Sequence, residues 1–227
     1  MGVDGAICAG VREWLGSTAM KFVNMESEDR GMMTLMNKVA NLLSDQGKWD
    51  EAEPLHRRCL AVRKKVLGAE HSDTLSSINN LALLLKQQGK WDEAEPLYRR
   101  CLAVREKLLG AEHPDTLNSI NNLASLLYQQ GKLDEAEPLF RRCLAVQEKL
   151  LGAEHPHTLT TINNLTGLLM QQGKWDEAEI MTRRSLEGTI SCGLTHKVPK
   201  RVRQLGRILR AQKKDEEADE LEQRYNK

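Results

Sequence analysis

Ile78, Leu81, Ala82 and Leu85 fall at i, i+3, i+4 and i+7 and mark one stripe of an amphipathic helix. The stripe recurs as Met36, Val39, Ala40 and Leu43, as Ile120, Leu123, Ala124 and Leu127, and as Ile162, Leu165, Thr166 and Leu169, each 42 residues after the last. Behind this helix A a glycine, Gly47, Gly89, Gly131 or Gly173, stands where a left-handed residue ends a helix. A second run, helix B, begins at Trp91-Asp92 and its counterparts. Ala94, Leu97, Tyr98, Cys101, Leu102, Val104 and Leu108 give helix B a broader apolar face than helix A, as suits an element packed on its own partner and on the next copy. Pro114 and Pro156 mark the first turn of helix A, where no N–H is needed, and Pro96 is placed in the opening turn of helix B.

The period governs the chain. Gly89–Gln130 is repeated by Gly131–Gln172 with 33 of 42 positions identical. A unit of two helices cannot bury its own apolar face, so copies must stack, and the expected outcome is one elongated array. Four regular units are expected over residues 32–190. Residues 1–31 read as a divergent N-terminal helical segment, with Ala6–Val23 in the place of a helix B and Trp14, Leu15, Met20 and Phe22 as core candidates. Residues 191–227 read as a degenerate last unit: LGRILRAQKKDEEA from Leu205 aligns with LTGLLMQQGKWDEA from Leu165 at a spacing of 40, and the charged final helix suits a cap.

Composition narrows the partners. Lys plus Arg is 33 and Asp plus Glu 32, so a net charge of +1 supplies no field for collecting nucleic acid or anionic lipid. No run approaches a membrane span, and MGVDGAICAG is neither a secretion signal nor, with Ala6 where Ser or Thr belongs, a myristoylation signal. A cytoplasmic protein is expected. Cys59, Cys101 and Cys143 share one repeat position and read as reduced core thiols. Glu53 and Arg57, with the pairs 95/99, 137/141 and 179/183, sit at i, i+4 with the acid first, which predicts exposed pairs on helix B.

Chemistry for catalysis is not evident. His71, His113 and His155 recur one per unit, too far apart to share an ion, and read as loop or cap residues. No carboxylate pair or local nucleophile signature stands out, so no enzyme, cofactor or metal is expected. Opposite the apolar stripe of helix A, a 100° step per residue places Thr34, Lys38, Asn41 and Asp45; Ser76, Asn80, Leu83 and Gln87; Asn118, Asn122, Ser125 and Gln129; and Thr160, Asn164, Gly167 and Gln171. That inner ladder holds one Lys, Lys38, and one Asp, which again disfavours nucleic acid.

Helix pairs with INNLA in helix A, GKWDEAEPLYRR in helix B and a Gly five residues ahead of Ala94 or Ala136 resemble the tetratricopeptide repeat over about Met32–Tyr225. The 42-residue unit, with its extended helix B and LGAEHPDT loop, is similar to the repeats of kinesin light chains and nephrocystin-type proteins. There is no room before Met32 for the light-chain coiled coil, and no GxxxxGK[ST] loop occurs. The resemblance implies an all-α fold, a right-handed α-solenoid of stacked antiparallel helix pairs. It also implies a non-catalytic adaptor whose concave ladder docks a peptide, with Asn80, Asn122 and Asn164 contacting the ligand main chain. The alternative it implies is a cargo-binding fragment of the kinesin light chain type.

Overall fold

The computed structural model describes residues 30–225, so the expected N-terminal segment with Trp14, Leu15, Met20 and Phe22 lies outside the described residues. Among those residues there are ten α-helices and no strand. The molecule divides into two compact units at the end of the fourth helix, one reaching Leu108 and one starting at Leu109. The first holds α1 (Arg30–Asp45), α2 (Trp49–Leu67), α3 (Ser72–Gln87) and α4 (Trp91–Leu109). The second holds α5 (Pro114–Gln129), α6 (Leu133–Leu151), α7 (Pro156–Gln171), α8 (Trp175–Ser191), a 3-10 turn at Thr195–Lys197, α9 (Val198–Ala211) and α10 (Asp215–Tyr225). Odd-numbered helices are the A elements and even-numbered ones the B elements.

The periodic stripes become the core. All sixteen stripe positions of the four copies, from Met36 to Leu169, are buried, including Thr166, whose hydroxyl donates to the Ile162 carbonyl. Burying one such Leu or Ile contributes about 1.5–3 kcal/mol, so each A helix is fixed chiefly by packing rather than by its own propensity. The expectation that helix B carries the broader face is overturned. Thr158, Leu159, Thr161 and Leu168 join the stripe of α7, whereas on α6 only Ala136, Phe140, Cys143, Leu144 and Gln147 are buried. The cause is neighbourhood: α7 packs on α5, α6 and α8, while α6 packs on α5 and α7. Leu97 and Leu139 are half-buried although Leu55 in the first copy is fully buried, Val62, Val104 and Val146 are half-buried, and Leu108 is exposed.

Turn chemistry sets the boundaries. The side chains of His71, His113 and His155 cap α3, α5 and α7, each Nδ1 accepting from the backbone N–H two residues on, at 3.1, 3.1 and 3.2 Å. These histidines are caps, as the loop reading expected. Pro114 and Pro156 open their helices. Pro96 is the sixth residue of α4, not in its first turn, so the helix forgoes one i→i−4 bond near its start. Gly89 adopts φ +76° behind α3, the left-handed conformation that a side chain resists. Lys213, 40 residues after Gly173, takes the same left-handed conformation behind α9, with φ +63°.

The i, i+4 pairs form as expected, but they are not isolated. Glu137 receives Arg141 at 2.8 Å, Lys174 at 2.8 Å and Gln172 at 2.9 Å, and Arg141 reaches on to Glu177 at 2.6 Å. Glu53 likewise joins Arg57 and Lys90, with Arg57 continuing to Glu93, and Glu179 joins Arg183 and Lys214. Lys174 above all, helped by Gln172 and Arg141, holds the Glu137 carboxyl down at about 2 despite its burial. These three pairs, at 53/57, 137/141 and 179/183, are therefore links from one B helix to the next within its unit.

Candidate functional site

The inner ladder is divided between the two units. On α1 and α3 the structure leaves Lys38 and Gln87 exposed, Leu83 exposed at 40%, and Asn41, Ser76 and Asn80 half-buried. Ser76 turns its hydroxyl back to the Ser72 carbonyl, and the Asn80 amide donates to Asn37 at 3.3 Å and Asn41 at 3.5 Å. Asn80 therefore ties α3 to α1, which uses part of the capacity expected to hold a ligand. On α5, Asn118 and Gln129 are exposed and Asn122 and Ser125 half-buried. On α7 the Asn164 amide donates to Asn121 at 3.3 Å, and the neighbouring Asn163 accepts from Ser185 at 2.8 Å.

One set of ladder residues converges on open space. Thr160, Asn163, Asn164, Gly167, Met170 and Gln171 of α7 form one wall of a groove of about 1320 Å³ in the C-terminal unit. Tyr128 of α5 and Trp175 of α8 also line it, and α9 supplies another wall through Lys200, Arg201, Arg203, Gln204, Arg207 and Arg210. Gly167, where the other copies carry Asn41, Leu83 and Ser125, leaves room for Tyr128: a Cβ there would sit 3.3 Å from the tyrosine oxygen. Thr160, Asn164 and Gln171 are thus brought together, whereas Asn118, Asn122, Ser125 and Gln129 do not line this groove.

The α9 wall was missed in the sequence, although its signal was there. Lys200, Arg203, Gln204 and Arg207 lie 40 residues after Thr160, Asn163, Asn164 and Gly167, so the ladder continues into the last unit with cations on it. The count of one Lys and one Asp stopped a unit short. Arg210 is held by Asp219 at 2.9 Å and Glu222 at 2.8 Å. Arg201 is buried, its guanidinium pushed down from its usual value by desolvation, and it donates to Gln204 at 3.3 Å while its Nε has no hydrogen-bond partner. Lys200, Arg203 and Arg207 make no ion pair with any described residue. Among the described residues no cluster of His, Cys, Asp or Glu is placed to hold a metal, and no helix is long and apolar enough to cross a membrane.

A family model of the tetratricopeptide repeat matches residues 31–107, 73–149 and 115–190 in overlapping succession. The chain belongs to the tetratricopeptide repeat family. Its solenoid helix pairs are similar to those of a putative kinesin light chain from Podosopora anserina with nearly identical repeats, at 27% identity, TM-score 0.77, covering 89% of this chain and 96% of that one. BtubC of P. vanneervenii shares the fold at 21% identity and TM-score 0.79, covering 94% of this chain and 89% of that one. PlcR of Bacillus thuringiensis, solved in complex with a peptide and DNA, shares it at 15% identity and TM-score 0.65, covering 89% and 71%. A search of curated proteins finds no match. The small residues Ala52, Ala94, Ala136 and Ala178 recur at one position of the repeat and are all fully buried.

Proposed function

We propose that this tetratricopeptide protein is a non-catalytic interaction scaffold that docks an extended peptide segment of a partner against the inner face of its A helices. The supporting observation is the groove in the C-terminal unit. Its amide and hydroxyl side chains on α7 present donors and acceptors that match a peptide main chain without reading its sequence. The same fold occurs in a structure with a bound peptide, a likeness at the level of fold. A partner isolated with the intact chain should lose about tenfold or more in affinity when Thr160→Trp fills the groove, and should be unaffected by Arg100→Ala on the exposed side of α4. Loss with Arg100→Ala and survival with Thr160→Trp would place the working surface on the B helices instead.

A second reading is favoured by the likeness to the putative kinesin light chain. The peptide would then belong to a transported cargo, and the scaffold would be found in one complex with a motor chain. Affinity purification that recovers no motor subunit under any condition argues against it.

A further inference from the structure

The first described A helix carries an uncovered apolar face. Leu35 and Leu42 of α1 lie seven residues apart on one side of the helix and are 47% and 49% exposed. The same two repeat positions are buried in every later A helix: Ser77 and Leu84 in α3, Thr161 and Leu168 in α7, Arg201 and Ile208 in α9, and their counterparts in α5. What buries them is the preceding B helix. In the N-terminal unit the Ser77 hydroxyl meets Cys59 at 3.7 Å and Arg63 at 2.9 Å, both on α2, and Leu84 joins the core that α1 and α2 share. In the C-terminal unit Thr161 meets Cys143 of α6 at 4.0 Å. At this junction α1 presents two leucines, and among the described helices none precedes it.

We infer that residues 7–25 of this same chain dock on that face as a further B helix, with Trp14, Ser17 and Lys21 in the places of His56, Cys59 and Arg63. A step of 42 residues back from α2 spans 7–25 and leaves, before Arg30, the same four-residue connection that separates Leu67 from Ser72. The buried side of α4 reads Ala94, Tyr98, Cys101 and Arg105, and that of α6 Ala136, Phe140, Cys143 and Gln147: small, aromatic, small, long and polar. At the same spacings residues 7–25 offer Gly10, Trp14, Ser17 and Lys21. Asp29 stands at the repeat position of the capping histidines, and Asp is a preferred cap. Sizes also match across the junction. Where Cys59 meets Ser77, Ser17 would meet Leu35, so the smaller side chain on the B helix leaves room for the larger one on α1. The array thereby begins half a unit ahead of α1, with both leucines withdrawn from water.

Paired cysteines in the full chain test this, with Cys8→Ser and Cys192→Ser as the background. Ser17→Cys with Leu35→Cys copies the Cys59–Ser77 contact and should form a disulfide within one chain under mild oxidation, located by peptide mapping of the monomer. Ala19→Cys with Leu35→Cys moves the first thiol to the side that is exposed at Ala61, and should link about tenfold more slowly or not at all. Hydrogen exchange on the wild type gives a second measurement, free of substitution. Amides of residues 10–21 should exchange about tenfold or more slowly than those of an unfolded chain. Trp14→Asp should abolish that protection and speed exchange in α1, with α7 unchanged. Disulfide-linked dimers from the 17/35 pair would overturn the inference in favour of a second copy on the α1 face. Equal linking of the 17/35 and 19/35 pairs, or unprotected amides over 10–21 in the wild type, would overturn it and leave the face to another protein.

Discussion

Four different residues occupy one buried repeat position: His56, Tyr98, Phe140 and Thr182. The position is the eighth residue of each of these four B helices and is buried in every one, so its chemistry is tested by what each side chain must give up. Burial pushes the His56 ring down from 6.5 to about 4, because loss of hydration disfavours the imidazolium even with the Ser44 hydroxyl 3.4 Å from its Nε2. Since the folded ring stays neutral while the unfolded one titrates near 6.5, stability is full above that value and falls as pH drops from 6.5 to about 4, by up to about 3 kcal/mol. His56→Phe, which copies Phe140, should remove that slope, so that melting temperatures at pH 7 and pH 5 lie closer together than in the wild type. A slope unchanged by the substitution would assign the acid sensitivity elsewhere. Lys213 carries backbone strain instead of desolvation: it holds φ +63° where the other units have glycine. Lys213→Gly should stabilise by about 0.5–1 kcal/mol in chemical denaturation, with no loss of helicity.

At the scale of helices, contact distance and charge decide. Ala136 is fully buried where α6 meets its neighbours, so Ala136→Leu should cost about 2 kcal/mol through overpacking, whereas Arg100→Ala on an exposed face should change stability by less than about 0.5 kcal/mol. Equal thermal shifts would mean that the register of the B helices is wrong. The carboxylate links between B helices add a pH dependence of their own. Glu137 and Glu53 are both held near 2, below their ordinary 4.5. Their charged contacts are therefore present above pH 4.5 and lost as pH falls through about 2, a window lower than that of His56. Glu137→Gln should lower stability at pH 7 and flatten the decline below pH 4.5, read by urea denaturation at several pH values.

Over the whole molecule, burial is uneven and so is the expected resistance to opening. The A helices bury about half their residues, while α10 buries only Ala218 among its own. In hydrogen exchange α10 should lose protection first among the described helices, and the stripe residues of α5 and α7 last. Peptide bound in the groove should slow exchange in α7 and α9 and leave α2 and α3 unchanged. Protection gained chiefly in α2 or α3 would move the binding surface to the N-terminal unit.

Hydrophobic periodicity alone determined the helices, their order, their caps and the buried stripes, because 3.6-residue spacing and turn chemistry are local properties written in each copy. It also carried the family, through a unit length and a glycine-to-alanine spacing that recur four times. Relative burial of the two helices was not legible, since it depends on how many neighbours each touches, and that is a property of stacking. The same holds for the asparagines expected on the ladder: only the packed structure shows that Asn80 and Asn164 bridge to Asn37 and Asn121. The groove itself was decided by tertiary structure. Lys200, Arg203 and Arg207 are an unremarkable basic run in the chain, and they become one wall of a site only because α9 packs on α8 and faces α7 across open space.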